Sequence, residues 1–243
     1  MLYALIVLTV LATSVLSGIL GMAGGMILMA VLVSTLSVAN AMILHGAVQA
    51  TANGTRAFFL REHIRWRLLP TYLLGAVTAV ALFAALTVVP DAGIVLILVG
   101  LFPWLARLNK RLHGLDVTRR LTTVACGFVV TCAQLLAGAS GPLLDVFYVN
   151  TPLSREAIVA NKALTQTLGH VLKIGYYGII VAFFSTLPLW LFTLAIATAV
   201  LGTRLGTQIL KRWNDSAFRK YGQAIILSVA AVCIARGLWS LWF

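Results

Sequence analysis

Two apolar stretches of the chain are interrupted by small residues, in a pattern that can present backbone N–H groups to an anion. The interruptions contain Gly21, Gly24 and Gly25 in GMAGGMILM (21–29), and Gly138, Ser140 and Gly141 in GASGPLL (138–144). Glycine and proline stop helices, and a half-helix that starts after such a break carries free N–H groups and the positive end of the helix dipole. The breaks therefore predict anion sites at half-helices near 25–36 and 142–150, where Pro142 suits the first helical position. The alternative is that the glycines only allow close helix packing.

Each interruption is followed by a helix with scattered polar residues, HGAVQATANGTR (45–56) and KALTQTLGHVLK (162–173). The two breaks and the two helices are 117 residues apart, and this offset pairs four positions: Gln49 with Gln166, His45 with Lys162, Asn53 with His170, and Arg56 with Lys173. The amides of Gln49 and Gln166 can donate to an oxyanion, although an interhelical hydrogen bond is the alternative role. Internal repeats of this kind are typical of transporters.

Several charged residues lie in apolar surroundings, where charges are costly and usually functional. Lys162 shares a helix face with Gln166, so it is a candidate for substrate binding or coupling, unless it extends to the membrane interface. Asp145 either pairs with Lys162 or carries a coupling proton. His45 and His170 are either packed histidines or proton carriers. Asn53 joins them as a coupling or gating candidate.

The remaining isolated cations are predicted mainly as anchors. Arg56 and Lys173 are interpreted as helix-end residues, with substrate guidance as their second role. Arg204 lies between two glycines, one turn before a basic loop, and is interpreted as an anchor or a gate. Long basic side chains near helix ends reach the membrane interface, which favours anchoring for Arg155 and Arg236 as well.

Composition places the chain in a membrane. It has 243 residues, of which 61% are hydrophobic and 10% charged, whereas soluble domains have about 45–50% apolar and about 25% charged residues. Apolar runs long enough to cross a bilayer recur along the chain, and they are continuous rather than alternating, which predicts helices and not a β-barrel. The first segment lacks a basic start, so we interpret it as a retained membrane helix.

Charge predicts the topology. Twelve of the 18 Lys and Arg residues lie in three short loops, 61–67, 107–120 and 211–220. Basic short loops mark the cytoplasmic side, so the net charge of +12 indicates orientation rather than nucleic-acid binding. The three loops share one side only if 121–150 enters the membrane and returns, and 2–36 is then its counterpart.

The predicted fold is an all-α polytopic membrane protein with two inverted-topology repeats, residues 1–112 and 113–243. Each repeat contains a Gly-broken re-entrant or V-shaped helix pair plus three transmembrane helices, and both termini face outward. The basic loop 61–67 corresponds to the uncharged segment 178–184 at the same offset, which indicates that equivalent loops lie on opposite sides.

Three segments resemble the sulfite exporter TauE/SafE family: SGILGMAGGMILMAVLV, GASGPLL and VLGTRLGTQILKRWNDSAFRKYGQAIILSVA. The resemblance covers both halves and nearly the full length. It implies an integral protein of the bacterial inner membrane that carries a small anion, such as sulfite, an organosulfonate, sulfoacetate or a simple organic acid. The first glycine break departs from the family in having no evident polar side chain.

We therefore predict a secondary transporter of a small anion, coupled to the proton gradient, whose partners are the lipid bilayer and the anion. An anion channel and a structural or partner-binding membrane subunit remain the alternatives, and a homodimer stays open. An enzyme is not predicted, because GxSxG, HExxH and acidic clusters are missing. No cofactor or metal is predicted either, since Cys126, Cys132 and Cys233 lack metal-ligand spacing.

Overall fold

The computed structural model describes residues 1–20, 23–107, 115–181, 186–210 and 215–242, which form ten α-helices and contain no strand. The helices are α1 (Leu2–Leu20), α2 (Ala23–Thr35), α3 (Val38–Phe59), α4 (Leu69–Leu86), α5 (Ala92–Arg107), α6 (Arg120–Ala137), α7 (Gly141–Tyr148), α8 (Arg155–Gly175), α9 (Leu189–Leu210) and α10 (Asp215–Trp242). Short 3₁₀ turns follow α3, and a π-helical segment, Tyr176–Val181, continues α8. The prediction of an all-helical chain is confirmed.

Among the described residues, five helical stretches are long and apolar enough to cross a membrane. They are Leu2–Ile19, Trp66–Leu86, Arg120–Ala137, Leu189–Ile209 and Ala224–Trp242. The helices α3 and α8 are not among them, because they are too polar. Length is not the reason, since α3 has 22 residues and is about 33 Å long. These two helices pack against each other, so much of their polar surface faces protein.

The helix pairing has the symmetry that two repeats require. The most extensive contacts join α1 to α9, α4 to α6, α3 to α8 and α5 to α10. If each helix exchanges places with the one five positions away in chain order, α1 with α6 through α5 with α10, the same four pairs result. Local structure also repeats, because Ser37 caps α3 and Ser154 caps α8, 117 residues later, each accepting a hydrogen bond from the backbone N–H three residues on.

The hairpin formed by α6 and α7 begins and ends at one end of the bundle. The N–H of Val117, just before α6, donates to the carbonyl of Phe147, near the end of α7, at 3.1 Å. At the same end, the N–H of Arg65 donates to Oδ1 of Asn161 in the first turns of α8, at 3.1 Å.

The hairpin formed by α1 and α2 opens towards the other end of α3. Tyr3, at the start of α1, packs edge-on against Trp190, with ring centroids 5.3 Å apart. Asn40, at the start of α3, donates to Thr186 Oγ1 at 2.8 Å, just before the helix that carries Trp190. The two hairpins thus open towards opposite ends of α3. The inverted relation of the two repeats and the assignment of these ends to membrane sides stay predictions.

Glycine sets the distance between α4 and α6. A Cβ atom on Gly75 would overlap the carbonyl oxygen of Val124, and one on Gly127 would overlap that of Tyr72. The two helices therefore approach backbone to backbone. Such contacts are a common source of stability between membrane helices, where burial of apolar surface from water contributes nothing.

Candidate functional site

A cavity of about 450 Å³ lies between α3 and α8 and reaches both Gly-broken hairpins. Nine of the residues predicted for substrate binding or coupling line it: Gly25, His45, Gln49, Asn53, Ser140, Gly141, Lys162, Gln166 and His170. Further lining residues include Ser17, Arg56, Pro142, Val159 and Thr203.

Helical spacing explains why these side chains meet. His45, Gln49 and Arg56 recur on one face of α3, and Lys162 and Gln166 lie on one face of α8. The helices run in opposite directions, because α8 begins at the end of the bundle where α3 finishes. The cavity follows about eleven residues of each helix, a distance of about 16 Å.

The two ends of the cavity differ in exposure. At one end His45 and His170 are buried, with exposed fractions of 1% and 4%, and their rings lie 5.5 Å apart. At the other end Val159 is exposed and Arg56 is half-buried. The cavity is therefore closed at its histidine end and approaches the surface near Arg56.

The hairpin tips bring backbone close to the cavity. A Cβ atom on Gly25 would lie 2.5 Å from Nε2 of Gln49, so glycine is what lets this amide rest against the first tip. In the second tip, Ser140 precedes α7 and Pro142 lies in its first turn. The first N–H groups of a helix lack partners within the helix. The free N–H groups of α7 therefore lie beside the cavity, where Gly141 begins the helix.

A buried hydrogen-bonded chain supports the second tip. Ser140 Oγ donates to Oε1 of Gln134. Nε2 of Gln134 donates in turn to Nδ1 of His170, at 2.6 Å. Gln134 is 1% exposed and was missed by sequence reasoning. Its signal was a lone amide in an apolar segment, four residues before Gly138.

Lys173 lies in the last turn of α8, as predicted, but it is fully buried, so the anchoring role predicted for it is wrong. The physical reason is that the π-helical segment Tyr176–Val181 extends the helix beyond Lys173, so the side chain lies among packed helices and not at a free helix end. Lys173 Nζ lies 2.9 Å from both Nδ1 of His45 and the carbonyl oxygen of Gly138.

His45 extends this contact to the first tip. Its Nε2 lies 2.9 Å from the carbonyl oxygen of Gly25, and because a carbonyl only accepts, Nε2 carries the proton and Nδ1 accepts from Lys173. Gly25, His45, Lys173 and Gly138 together form what we call the tip bridge, a hydrogen-bonded path between the two hairpin tips.

Lys162 and Asp145 form an ion pair. Their side chains are 24% and 31% exposed, and Asp145 does not line the cavity. The pairing alternative for Asp145 therefore has direct structural support. Arg56 lines the cavity, which favours its second predicted role, substrate guidance, over anchoring alone.

Three predicted site residues have other positions, and a fourth cannot be placed. Gly24 packs on α1, where a Cβ atom would overlap Thr13 and Ser17, and Gly138 faces Met29 and Met42, so both serve the fold rather than the cavity wall. Arg204 is exposed on α9 and does not line the cavity. Gly21 lies outside the described residues.

The described residues contain no group of three or more His, Cys, Asp or Glu side chains able to hold a metal ion. What they contain is a polar cavity between two broken hairpins, inside a bundle of paired membrane helices. Discontinuous helices that meet at a central site are typical of membrane transporters.

The chain belongs to the sulfite exporter TauE/SafE family, whose model matches residues 5–233. The resemblance noted in the sequence is thereby confirmed. Membership makes the protein an integral membrane transporter of the anion-exporter type, which is consistent with the prediction that it is not an enzyme. No curated protein and no solved structure matches the chain.

Proposed function

We propose that the protein is a secondary transporter that binds one small oxyanion, such as sulfite, an organosulfonate, sulfoacetate or a short carboxylate, in the cavity between α3 and α8. The observation that carries the proposal is the convergence of donors from both repeats on one cavity. Gln49 comes from the first repeat, and Gln166 and Lys162 come from the second.

The donors suit an oxyanion. No hydrogen bond joins the side-chain amide of Gln49 or Gln166 to another described residue, so both can donate to a ligand. Arg56 adds a guanidinium, which matches the planar geometry of carboxylate and sulfonate oxygens. The Lys162 ammonium attracts an anion less strongly than an unpaired cation would, because it forms an ion pair with Asp145.

The shape of the cavity suits alternating access. It approaches the surface near Arg56, at the end of the bundle that carries the basic loop 61–67, and it is closed at His45 and His170. If that loop is cytoplasmic, as its charge indicates, the structure represents an inward-facing arrangement. Transport then requires the two hairpin tips to separate at the closed end.

Repeats 1–112 and 113–243, related by inversion, are the units that would move in this cycle. We place the chain in a bacterial inner membrane, with both termini outside, and take the proton gradient as its energy source. Passive flow through a channel is the alternative that the transport experiment below distinguishes.

The first experiment measures anion binding. Purified chain is screened by thermal shift against sulfite, thiosulfate, isethionate, sulfoacetate and acetate, and affinities follow by titration. Gln166→Ala and Lys162→Ala should each weaken binding about tenfold or more, because a hydrogen bond to a charged group contributes about 1.5–3 kcal/mol. Gly141→Val should weaken it further, since a branched side chain fills the space beside the tip.

Arg236→Gln is the matched control, because Arg236 is an exposed cation on α10 outside the cavity. If the three cavity variants remain monodisperse and bind like the wild type, the tips are packing devices and the proposed site is wrong. In proteoliposomes, a carrier shows counterflow of labelled anion against unlabelled anion. Flux without saturation or counterflow indicates a channel.

A further inference from the structure

We propose that Lys173 is the proton-binding group of the transporter, and that it takes up one proton when an anion enters the cavity. This inference rests on the proposed function and identifies the residue that couples it to protons. It replaces Asp145 as the coupling candidate, because Asp145 is engaged by Lys162 and does not line the cavity.

Lys173 is a buried amine with no counterion among the described residues. Its side chain is 0% exposed, and its two partners, His45 Nδ1 and the Gly138 carbonyl, are neutral acceptors. The whole chain has six acids; they are Glu62, Asp91, Asp116, Asp145, Glu156 and Asp215. No described carboxylate contacts Lys173, and a buried cation that lacks a counterion is costly.

The hydrogen bonds of Lys173 do not depend on its charge. A neutral amine has two N–H groups, which are enough for the two acceptors at 2.9 Å, and an ammonium adds a third. Lys173 can therefore gain or lose a proton while the tip bridge stays intact.

The titratable groups beside Lys173 are His45 from α3 and His170, one turn earlier in α8 itself. Neither histidine can gain a proton without losing a hydrogen bond. Both ring nitrogens of His45 are engaged, Nε2 as donor and Nδ1 as acceptor. A second proton on His45 would place an N–H against the Lys173 amine. His170 Nδ1 accepts a hydrogen bond from Gln134. A proton on that nitrogen would remove the acceptor and break this hydrogen bond.

The cavity supplies the missing negative charge when it is occupied. His45 lines the cavity and contacts Lys173, so one imidazole ring separates the amine from the anion. An anion there stabilises the ammonium, and by linkage a protonated Lys173 strengthens anion binding to the same extent.

The test counts the protons taken up on binding. Isethionate is titrated into purified chain by calorimetry in two buffers of different ionisation enthalpy, since its sulfonate stays ionised and any proton uptake belongs to the protein. We expect about one proton per isethionate at a pH where Lys173 is neutral without anion. The affinity should fall about tenfold per pH unit in that range, because one proton is linked to binding.

Two substitutions isolate Lys173. Lys173→Arg keeps a permanent charge, so isethionate should bind without proton uptake and with an affinity that no longer depends on pH. Lys173→Met keeps an unbranched side chain, one heavy atom shorter, without a titratable group, so uptake should vanish and binding should weaken about tenfold or more. The control Arg236→Gln should take up one proton, as the wild type does.

The outcomes separate the two hypotheses. Wild-type chain that binds no isethionate contradicts the proposed function for sulfonates and the coupling with it. Wild-type binding without proton uptake contradicts the coupling alone. Retention of one proton per anion in a folded Lys173→Met chain also overturns the assignment, and loss of uptake in Asp145→Asn but not in Lys173→Met would transfer it to Asp145.

Discussion

Gly138 ends α6 in a left-handed backbone conformation that only glycine adopts without strain. Its φ is +72° and its ψ is −16°, its N–H donates to the Gln134 carbonyl at 2.9 Å, and its own carbonyl accepts from Lys173. The substitution Gly138→Ala therefore perturbs the end of the helix and the tip bridge together.

The expected cost has two parts. An L residue in this conformation costs about 1–2 kcal/mol. The new Cβ atom would also lie 2.5 Å from Met29 Sδ and 2.9 Å from Met42 Sδ. These are flexible side chains that can shift, so we add no more than about 1 kcal/mol for crowding.

The sum predicts a loss of about 1–3 kcal/mol in the free energy of unfolding, and a fall in Tm of about 2–4 °C per kcal/mol. Thermal unfolding in detergent, followed by the fluorescence of the six tryptophans, measures it. Gly175→Ala in α8 is the matched control, because a Cβ atom there meets nothing within 4 Å.

Alanine at position 175 should leave Tm unchanged or raise it slightly, since Ala is favoured over Gly in helices by about 1 kcal/mol. Equal Tm values for wild type and Gly138→Ala, with the control behaving as expected, would refute the left-handed end of α6 and its role in the bridge.

The remaining predictions concern topology, packing and charge. In a chain without native cysteines, Arg65→Cys and Thr186→Cys should react with an impermeant maleimide from opposite sides of the membrane; labelling from one side refutes the inversion. Gly127→Val should abolish recovery of monodisperse protein, because α4 cannot remain in contact with α6; recovery at wild-type yield would contradict the close approach. Asp145→Asn should strengthen isethionate binding about threefold or more by freeing the Lys162 ammonium; an unchanged affinity would show that the ion pair does not limit the field in the cavity.

The sequence was sufficient for the fold class and for much of the helix pattern. Hydropathy is a property of local segments, so the apolar run 189–210 predicts α9 with the bounds Leu189–Leu210. Glycine, serine and proline at 138–142 predict the break between α6 and α7 because they act on the backbone at their own positions. The 117-residue offset likewise aligns the starts of α3 and α8.

The presence of Gln49 and Gln166 in one cavity was also predictable, since helical spacing places each on the polar face of its own helix. The sequence could not predict which residues of a glycine break face the cavity. Gly24 and Gly25 are adjacent in the chain, yet Gly24 faces α1 and Gly25 faces Gln49, because successive residues of a helix point about 100° apart.

Only the tertiary structure decided the surroundings of Lys173. Sequence spacing equates it with Arg56, and both resemble cations at helix ends. The continuation of α8 past Gly175 and the approach of α3 and the second hairpin tip enclose Lys173 against His45 and Gly138, residues 128 and 35 positions away in the chain. Burial and hydrogen-bond partners depend on which segments meet in space, and that is determined by packing across the whole bundle rather than by any local pattern.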